Sequence, residues 1–403
     1  MKPFIPVLLC LLTAPAPAAA QDSTVTLWTR EQLNSSKLNE KRSIYVATPD
    51  GYRVGTKRYP VLVILDADDR PQFNLAIANV AFLASRGAIP GLIVVGITNG
   101  KDRTHDMTPA TTAAQAKNFP TAGGVNAFAD FIVDEVVPLV RSKYRTLPTT
   151  ILAGHSFGGL VALEVAAKKP GVFNGVIAMS PSLWWSDSSG VMSYSDAIAK
   201  AARGGRLFVT SGGLEGDIDR PTTRFSQRMD SLKPAVIAFG HQRYPEDSHG
   251  LTPAPSLVDG LRFVFEPISV AKLPISMLGP NTDSAGAMNA YVESKRRYAA
   301  GARSLNLDER FPESDTNQLG YGVLQLLHNP KFAVWVFRQN AETYPESANV
   351  YDSLGDGLVA LGDTTAAITT FRRAVDVATR NKDPVLVVSL RKLTALEAAR
   401  KGN

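Results

Sequence analysis

From about residue 41 to residue 267, short apolar runs alternate with amphipathic stretches. Residues 59–65 (YPVLVIL), 91–97 (GLIVVGI) and 149–154 (TTILAG) are nearly continuous aliphatic and β-branched runs. Such runs mark strands buried on both faces rather than half-exposed ones. Residues 41–49, 174–179, 206–210 and 235–239 are further strand candidates. Between them lie helix candidates at 72–86, 125–144, 157–169, 196–203 and 222–232. Strands that alternate with helices predict an α/β domain built on a mostly parallel, twisted sheet.

Past Pro267 the strand pattern stops, and Pro274, Gly279 and Pro280 punctuate a linker. The remainder is helical and repeats itself. Tyr351-x2-Leu354-Gly355-x2-Leu358 precedes Ala367-x3-Phe371 and Ala374; 34 residues earlier stand Asn317-x2-Gly320-Tyr321-x2-Leu324 and Ala333-x3-Phe337. That period and the Ala-x3-Phe anchor resemble tetratricopeptide repeats, in which small residues let paired helices approach and an aromatic fills the groove. Helical stretches at 287–304 and 385–399 are expected to flank the repeats. The first twenty residues carry Lys2, an apolar run from Phe4 to Leu12 and an Ala18-Ala19-Ala20 end, the layout of a secretory leader. The expected organisation is therefore a signal peptide at 1–20, an α/β domain at 21–270, a linker at 271–285 and an all-α helical-repeat domain at 286–403. The protein is expected to be exported, to the periplasm or beyond.

Composition narrows the chemistry. The chain has 403 residues, 44% apolar and 20% charged, which suits a globular protein of two or three domains. Its net charge of +6 is spread without a Lys/Arg block, so a nucleic-acid partner is not expected. No run approaches the ~20 apolar residues of a transmembrane helix. The single cysteine, Cys10, falls in the leader, which argues against disulfide, thiol and Cys-metal chemistry. No metal or organic cofactor is expected.

The most specific motif is Gly154-His155-Ser156-Phe157-Gly158, a G-x-S-x-G sequence between a buried strand and a helix. In that setting it is a nucleophile elbow: the turn needs glycines, lifts the serine oxygen above the sheet edge and aims helix-terminal amides at it. Ser156 then needs a base. Of the five histidines, His249 follows the last strand candidate on a loop, and it is preferred to His241 at that strand's end. The acid belongs on the loop 211–219, with Glu215 first and Asp217 second; a Ser–His pair acting without an acid remains open. The oxyanion hole is expected from the amide of Phe157 and that of Asp68, with Ala67 as the alternative. Trp184 and Trp185 follow a strand and are candidates to contact substrate, as is His155 within the elbow. Arg103 is expected either to pair with Asp106 or to meet an anionic substrate group.

The block from Ala153 to Leu160, Ser180-Pro-Ser-Leu-Trp-Trp, Arg103…Asp106-Met-Thr-Pro and the loop to His249 resemble the esterase family of the α/β-hydrolase superfamily. That family includes enterobactin and salmochelin esterases, feruloyl esterases and S-formylglutathione hydrolases. The resemblance covers about residues 41–267. It implies a serine esterase acting on a small-molecule ester, with Ser156 as nucleophile, His249 as base and an acid near Glu215. Some siderophore esterases of the family manage with Ser and His alone, which leaves the acid open. An acyltransferase, a serine peptidase, or a binding protein recruiting a protein partner through the repeats are the alternatives.

Overall fold

The computed structural model describes residues 26–54, 57–201, 203–269 and 284–401; the leader expected at 1–20 lies outside them, as does most of the expected linker. The strands are β1 (Thr29–Ser35), β2 (Glu40–Ala47), β3 (Tyr59–Ile64), β4 (Ile93–Ile97), β5 (Thr146–His155), β6 (Gly175–Met179), β7 (Gly205–Gly212) and β8 (Ile237–Tyr244). They form one sheet in the order β1-β2-β4-β3-β5-β6-β7-β8. The strands from β4 to β8 run parallel, and β1 and β2 are antiparallel additions at one edge. The central strands β3, β4 and β6 are buried at every position, which is why their sequences are unbroken apolar runs.

The helices are α1 (Arg70–Ser85), α2 (Arg103–Met107), α3 (Ala113–Ala116), α4 (Val125–Asp130), α5 (Val137–Lys143), α6 (Phe157–Lys168), α7 (Trp185–Ala199), α8 (Asp219–Leu232), α9 (Pro253–Val264) and α10 (Glu266–Ser269). Beyond them come α11 (Ser284–Ser304), α12 (Glu313–Leu326), α13 (Pro330–Thr343), α14 (Ala348–Leu361), α15 (Thr364–Asn381) and α16 (Val385–Lys401). A helix was expected over 125–144; there α4 and α5 are joined by a π-helical stretch, Phe131–Val136. The strand β1 was missed because its sequence, TREQLNS, is polar and mostly exposed, so it carries no apolar alternation. The helix expected at 196–203 is the end of α7, which starts at Trp185 and bends through Ser186, Asp187 and Ser188, all at positive φ. Residue Ser284, expected in the linker, already begins α11.

One sheet face shares a continuous hydrophobic core with the helical tail: Leu261, Phe265 and Ile268 join Tyr291, Leu305 and Phe337 in a single buried cluster. Within the tail, Phe337 packs against Gly320 and Phe371 against Gly355, so that a side chain at either glycine would collide with the ring. The phenylalanines are 34 residues apart and the glycines 35, so the two glycine–aromatic contacts differ in register by one residue. The junction between α11 and α12 docks low on the sheet. Thr149 Oγ1 lies 2.6 Å from Leu305 O and 3.0 Å from Asn306 O. Thr149 is near the start of β5 and Ser156 just past its end. Seven extended residues at ~3.3 Å each separate this contact from the elbow by roughly 23 Å.

Candidate active site

Parallel pairing brings the carboxyl ends of the strands to one edge. The register aligns His155, Met179, Thr210 and Gln242 in a row across β5, β6, β7 and β8. The segments that follow carry Ser156, Ser180 to Ser182, Glu215 and His249, so chain positions almost a hundred residues apart converge above the same edge. This is where ligands bind in parallel α/β sheets.

Ser156 adopts φ 62° and ψ −117° at the start of α6. A non-glycine residue there stores of order 1–3 kcal/mol of strain, which its surroundings must hold. They do so with close backbone approach: a β-carbon at Gly154 would collide with the carbonyl of Gly158. Hydrogen bonds fix the turn, from Ser156 N to Met179 O at 3.0 Å and from Ser182 N to Ser156 O at 3.1 Å. The Ser156 hydroxyl lies 3.4 Å from the Ser182 hydroxyl.

His249 sits between β8 and α9, and its Nδ1 is 2.9 Å from Glu215 Oε1. The Glu215 side chain has no exposed surface. Its second oxygen accepts from the Gly212 amide at 2.8 Å. Burial pushes the Glu215 carboxyl up, but hydrogen bonds from His249, Ser180 and the Gly212 amide outweigh it and hold the group below its ordinary value. Thr252 braces the pair: its hydroxyl lies 3.1 Å from His249 O and 3.4 Å from Glu215 Oε1, and accepts from Ser180 at 2.9 Å. With Nδ1 committed to a carboxylate, the imidazole carries its proton there and presents Nε2 as acceptor. The alternatives point elsewhere. Asp217 is 88% exposed beside Arg220, and His241 lies inside β8, against Asp230.

Phe157 is the first residue of α6 and its amide has no acceptor within the helix. Among the described residues the amide of Asp68 has no hydrogen-bond partner, whereas that of Ala67 donates to Ile97 O at 3.0 Å. The Asp68 carboxylate accepts from the Asn99 amide at 2.5 Å, which pins this loop.

Arg103 does not pair with Asp106. Its guanidinium grips Asp66 with two bonds, 2.6 and 2.9 Å, and lies 5.1 Å from the centre of the Phe157 ring. Asp106 instead meets the fully buried Arg42. Asp66, at positive φ, belongs to the acidic loop 66–69 considered for the oxyanion hole, but its pairing with Arg103 was not foreseen because that partner is 37 residues away. The two tryptophans diverge. Trp185 is buried, with its indole N–H on Pro109 O at 3.1 Å, and packs with Phe119. Trp184 is half-buried and lines an open groove of about 1320 Å³ with Leu214, Glu215, Ile218, Pro221 and Arg224. His155 stacks on His249, ring centres 4.3 Å apart. Among the described residues, His155, Glu215 and His249 are the one group of three offering ligand atoms within 4.8 Å of one another. Ser182 and Thr252, which touch Ser156 and the His249–Glu215 pair, were not singled out from the sequence; their only signal was proximity to motifs already chosen.

The sheet, the elbow after its central strand and the histidine–carboxylate pair at the same edge define the α/β-hydrolase architecture. Residues 35–233 match the family described as "Putative esterase". The match takes in Ser156 and Glu215 and ends before β8 and His249. Over 89 residues the chain is 38% identical to the siderophore triacetylfusarinine C esterase of Aspergillus fumigatus, 22% of this chain and 29% of that protein. Over 143 residues it is 31% identical to the ferri-bacillibactin esterase BesA of Bacillus subtilis, 32% of this chain and 49% of that one. The chain thus spans less than half of the length of either relative. Among solved structures, an IroE-like serine hydrolase from Shewanella oneidensis aligns with 25% identity over 78% of this chain and 99% of its own, at a TM-score of 0.64. An uncharacterised protein from Capnocytophaga ochracea shares the fold over 92% of this chain and 99% of its own, with 16% identity and a TM-score of 0.61.

Proposed function

We propose that the protein is an exported serine hydrolase of carboxylic esters, acting through an acyl-enzyme on Ser156. The observation that carries this reading is the hydrogen bond between His249 and the buried Glu215 carboxylate at the same sheet edge as a strained serine elbow. In the proposed reaction His249 Nε2 takes the Ser156 proton as the hydroxyl attacks the ester carbonyl. The amides of Phe157 and Asp68 hold the oxyanion, while Glu215 stabilises the imidazolium. His249 returns the proton to the departing alkoxide. Water, deprotonated by His249, then attacks the acyl-enzyme; as the bond to Ser156 Oγ breaks, His249 returns the proton to that oxygen and the acid product leaves.

The substrate class is proposed from two sources. The open groove lined by Trp184, Leu214, Glu215 and Ile218, with Ser156 and His249 outside its lining, has room for a bulky small molecule beside the candidate site. The named relatives hydrolyse siderophores. We therefore take an iron-chelating ester as the first candidate. The helical tail is proposed to be tetratricopeptide-like. Its docking near Thr149, at the opposite end of β5 from Ser156, supports a role in packing or partner recruitment rather than as a lid. A panel of p-nitrophenyl esters, a feruloyl ester and a siderophore lactone, assayed with wild type and Ser156→Ala, tests the proposal. Serine-dependent hydrolysis of the lactone supports it. Cleavage of aminoacyl amides in preference to every ester would replace it with a peptidase.

A further inference from the structure

His155 closes β5 one residue before the candidate nucleophile, yet its side chain turns towards the base. The two imidazole rings lie with their centres 4.3 Å apart and their planes 36° from parallel. Nε2 of His155 is buried and makes no hydrogen bond among the described residues. A nitrogen left unpaired in this way costs free energy unless its position serves another purpose.

The geometry points to His155 as a positioning residue for the base: its neutral ring is the shelf that fixes the plane of His249 and shields one face of it from water. This inference rests on the reading of His249 as base. Two attachments then determine that imidazole, the Glu215 bond at Nδ1 and the ring beneath it, and together they leave Nε2 one direction in which to point. The shelf must be uncharged, because a cation stacked at this distance would oppose the imidazolium that forms during turnover. Burial and the charge of His249 lower the pKa of His155 to about 4, against the opposing pull of Glu215, Asp66 and the backbone of His249. Those groups come from the loops after β7, β3 and β8. Asp66 is already committed to Arg103, so no free carboxylate faces the ring from that side.

The test compares His155→Ala, His155→Phe and His249→Ala with the wild type on a soluble p-nitrophenyl ester, with thermal melting to establish that each is folded. His155→Ala should lower kcat by ~10- to 100-fold with KM little changed, the cost of a loosened catalytic group. Water then reaches the exposed face and favours the protonated base, so the acid limb of the kcat/KM profile should move to higher pH. His155→Phe restores a neutral flat surface and should bring both kcat and the acid limb back close to the wild type. A His155→Ala effect confined to KM, or an acid limb coincident with the wild type, overturns the shelf and leaves His155 as a packing or substrate-contact residue. Failure of His155→Phe to restore the rate in a folded protein also overturns it. Full activity in His249→Ala would remove the base assignment, and the shelf with it.

Discussion

Replacing Glu215 by glutamine keeps the shape of the side chain and changes its hydrogen-bond chemistry at both ends. The carboxylate's two shortest hydrogen bonds come from the Gly212 amide at 2.8 Å and His249 Nδ1 at 2.9 Å. Glutamine has one acceptor and one donor terminus. If its oxygen stays on Gly212, its amino group faces Nδ1, which must then be the unprotonated nitrogen; the proton moves to Nε2 and the base is in the wrong tautomer. If the amide flips, two N–H groups oppose each other at Gly212, at a cost of ~1–3 kcal/mol for the unsatisfied buried donor. In either case the charge that offsets the imidazolium is gone. At an effective dielectric of about 20 and a charge separation of about 4 Å that attraction is worth ~4 kcal/mol. Each ~1.4 kcal/mol is tenfold in rate, so kcat should fall about 10³-fold. The assay is steady-state hydrolysis of p-nitrophenyl butyrate across pH, alongside Asp217→Asn as the exposed control. A fall of less than tenfold in Glu215→Gln, or a larger fall in Asp217→Asn, would refute the reasoning and favour a Ser–His pair acting alone.

Three further outcomes are expected. Since the folded-state pKa of Glu215 is depressed, its contribution to stability is complete above the unfolded value near 4.5 and is lost as pH falls through the folded value. Melting curves between pH 7 and pH 3 should therefore show a steeper acid decline for wild type than for Glu215→Gln. Gly154→Ala should abolish activity and lower Tm, because the methyl group meets the backbone of Gly158 and no side-chain rotation relieves it. Thr149→Val leaves the carbonyls of Leu305 and Asn306 without this donor and should lower stability by about 1–3 kcal/mol with kcat unchanged; a changed kcat would argue that the tail communicates with the site.

The parts of the fold that were legible in the sequence are those whose signal is local. The aliphatic runs of β3, β4 and β5 announce strands buried on both faces, and the five-residue elbow specifies its own turn. The loops that carry Glu215 and His249 follow from strand order, because parallel strands must end at one edge. What escaped depends on distant partners. Strand β1 is polar because it is an exposed edge, held by pairing with β2 rather than by its own pattern. For Arg103 the sequence offered the nearer carboxylate, Asp106, or an anionic substrate group, whereas the fold gives Asp106 to Arg42 and brings Asp66 to Arg103. Trp184 and Trp185 are adjacent in sequence, but a helix start sends one to the groove and the other into the core. The stacking of His155 on His249 joins residues 94 positions apart, and neither carries a mark of it in the sequence.

The central claim is that Ser156 is the nucleophile. Treating the full chain with a fluorophosphonate probe and mapping the adduct by peptide mass spectrometry tests it most directly. The account predicts one adduct, on Ser156, with loss of esterase activity in proportion to labelling, and none in Ser156→Ala. Labelling of another serine, or esterase activity that persists in Ser156→Ala, would contradict it.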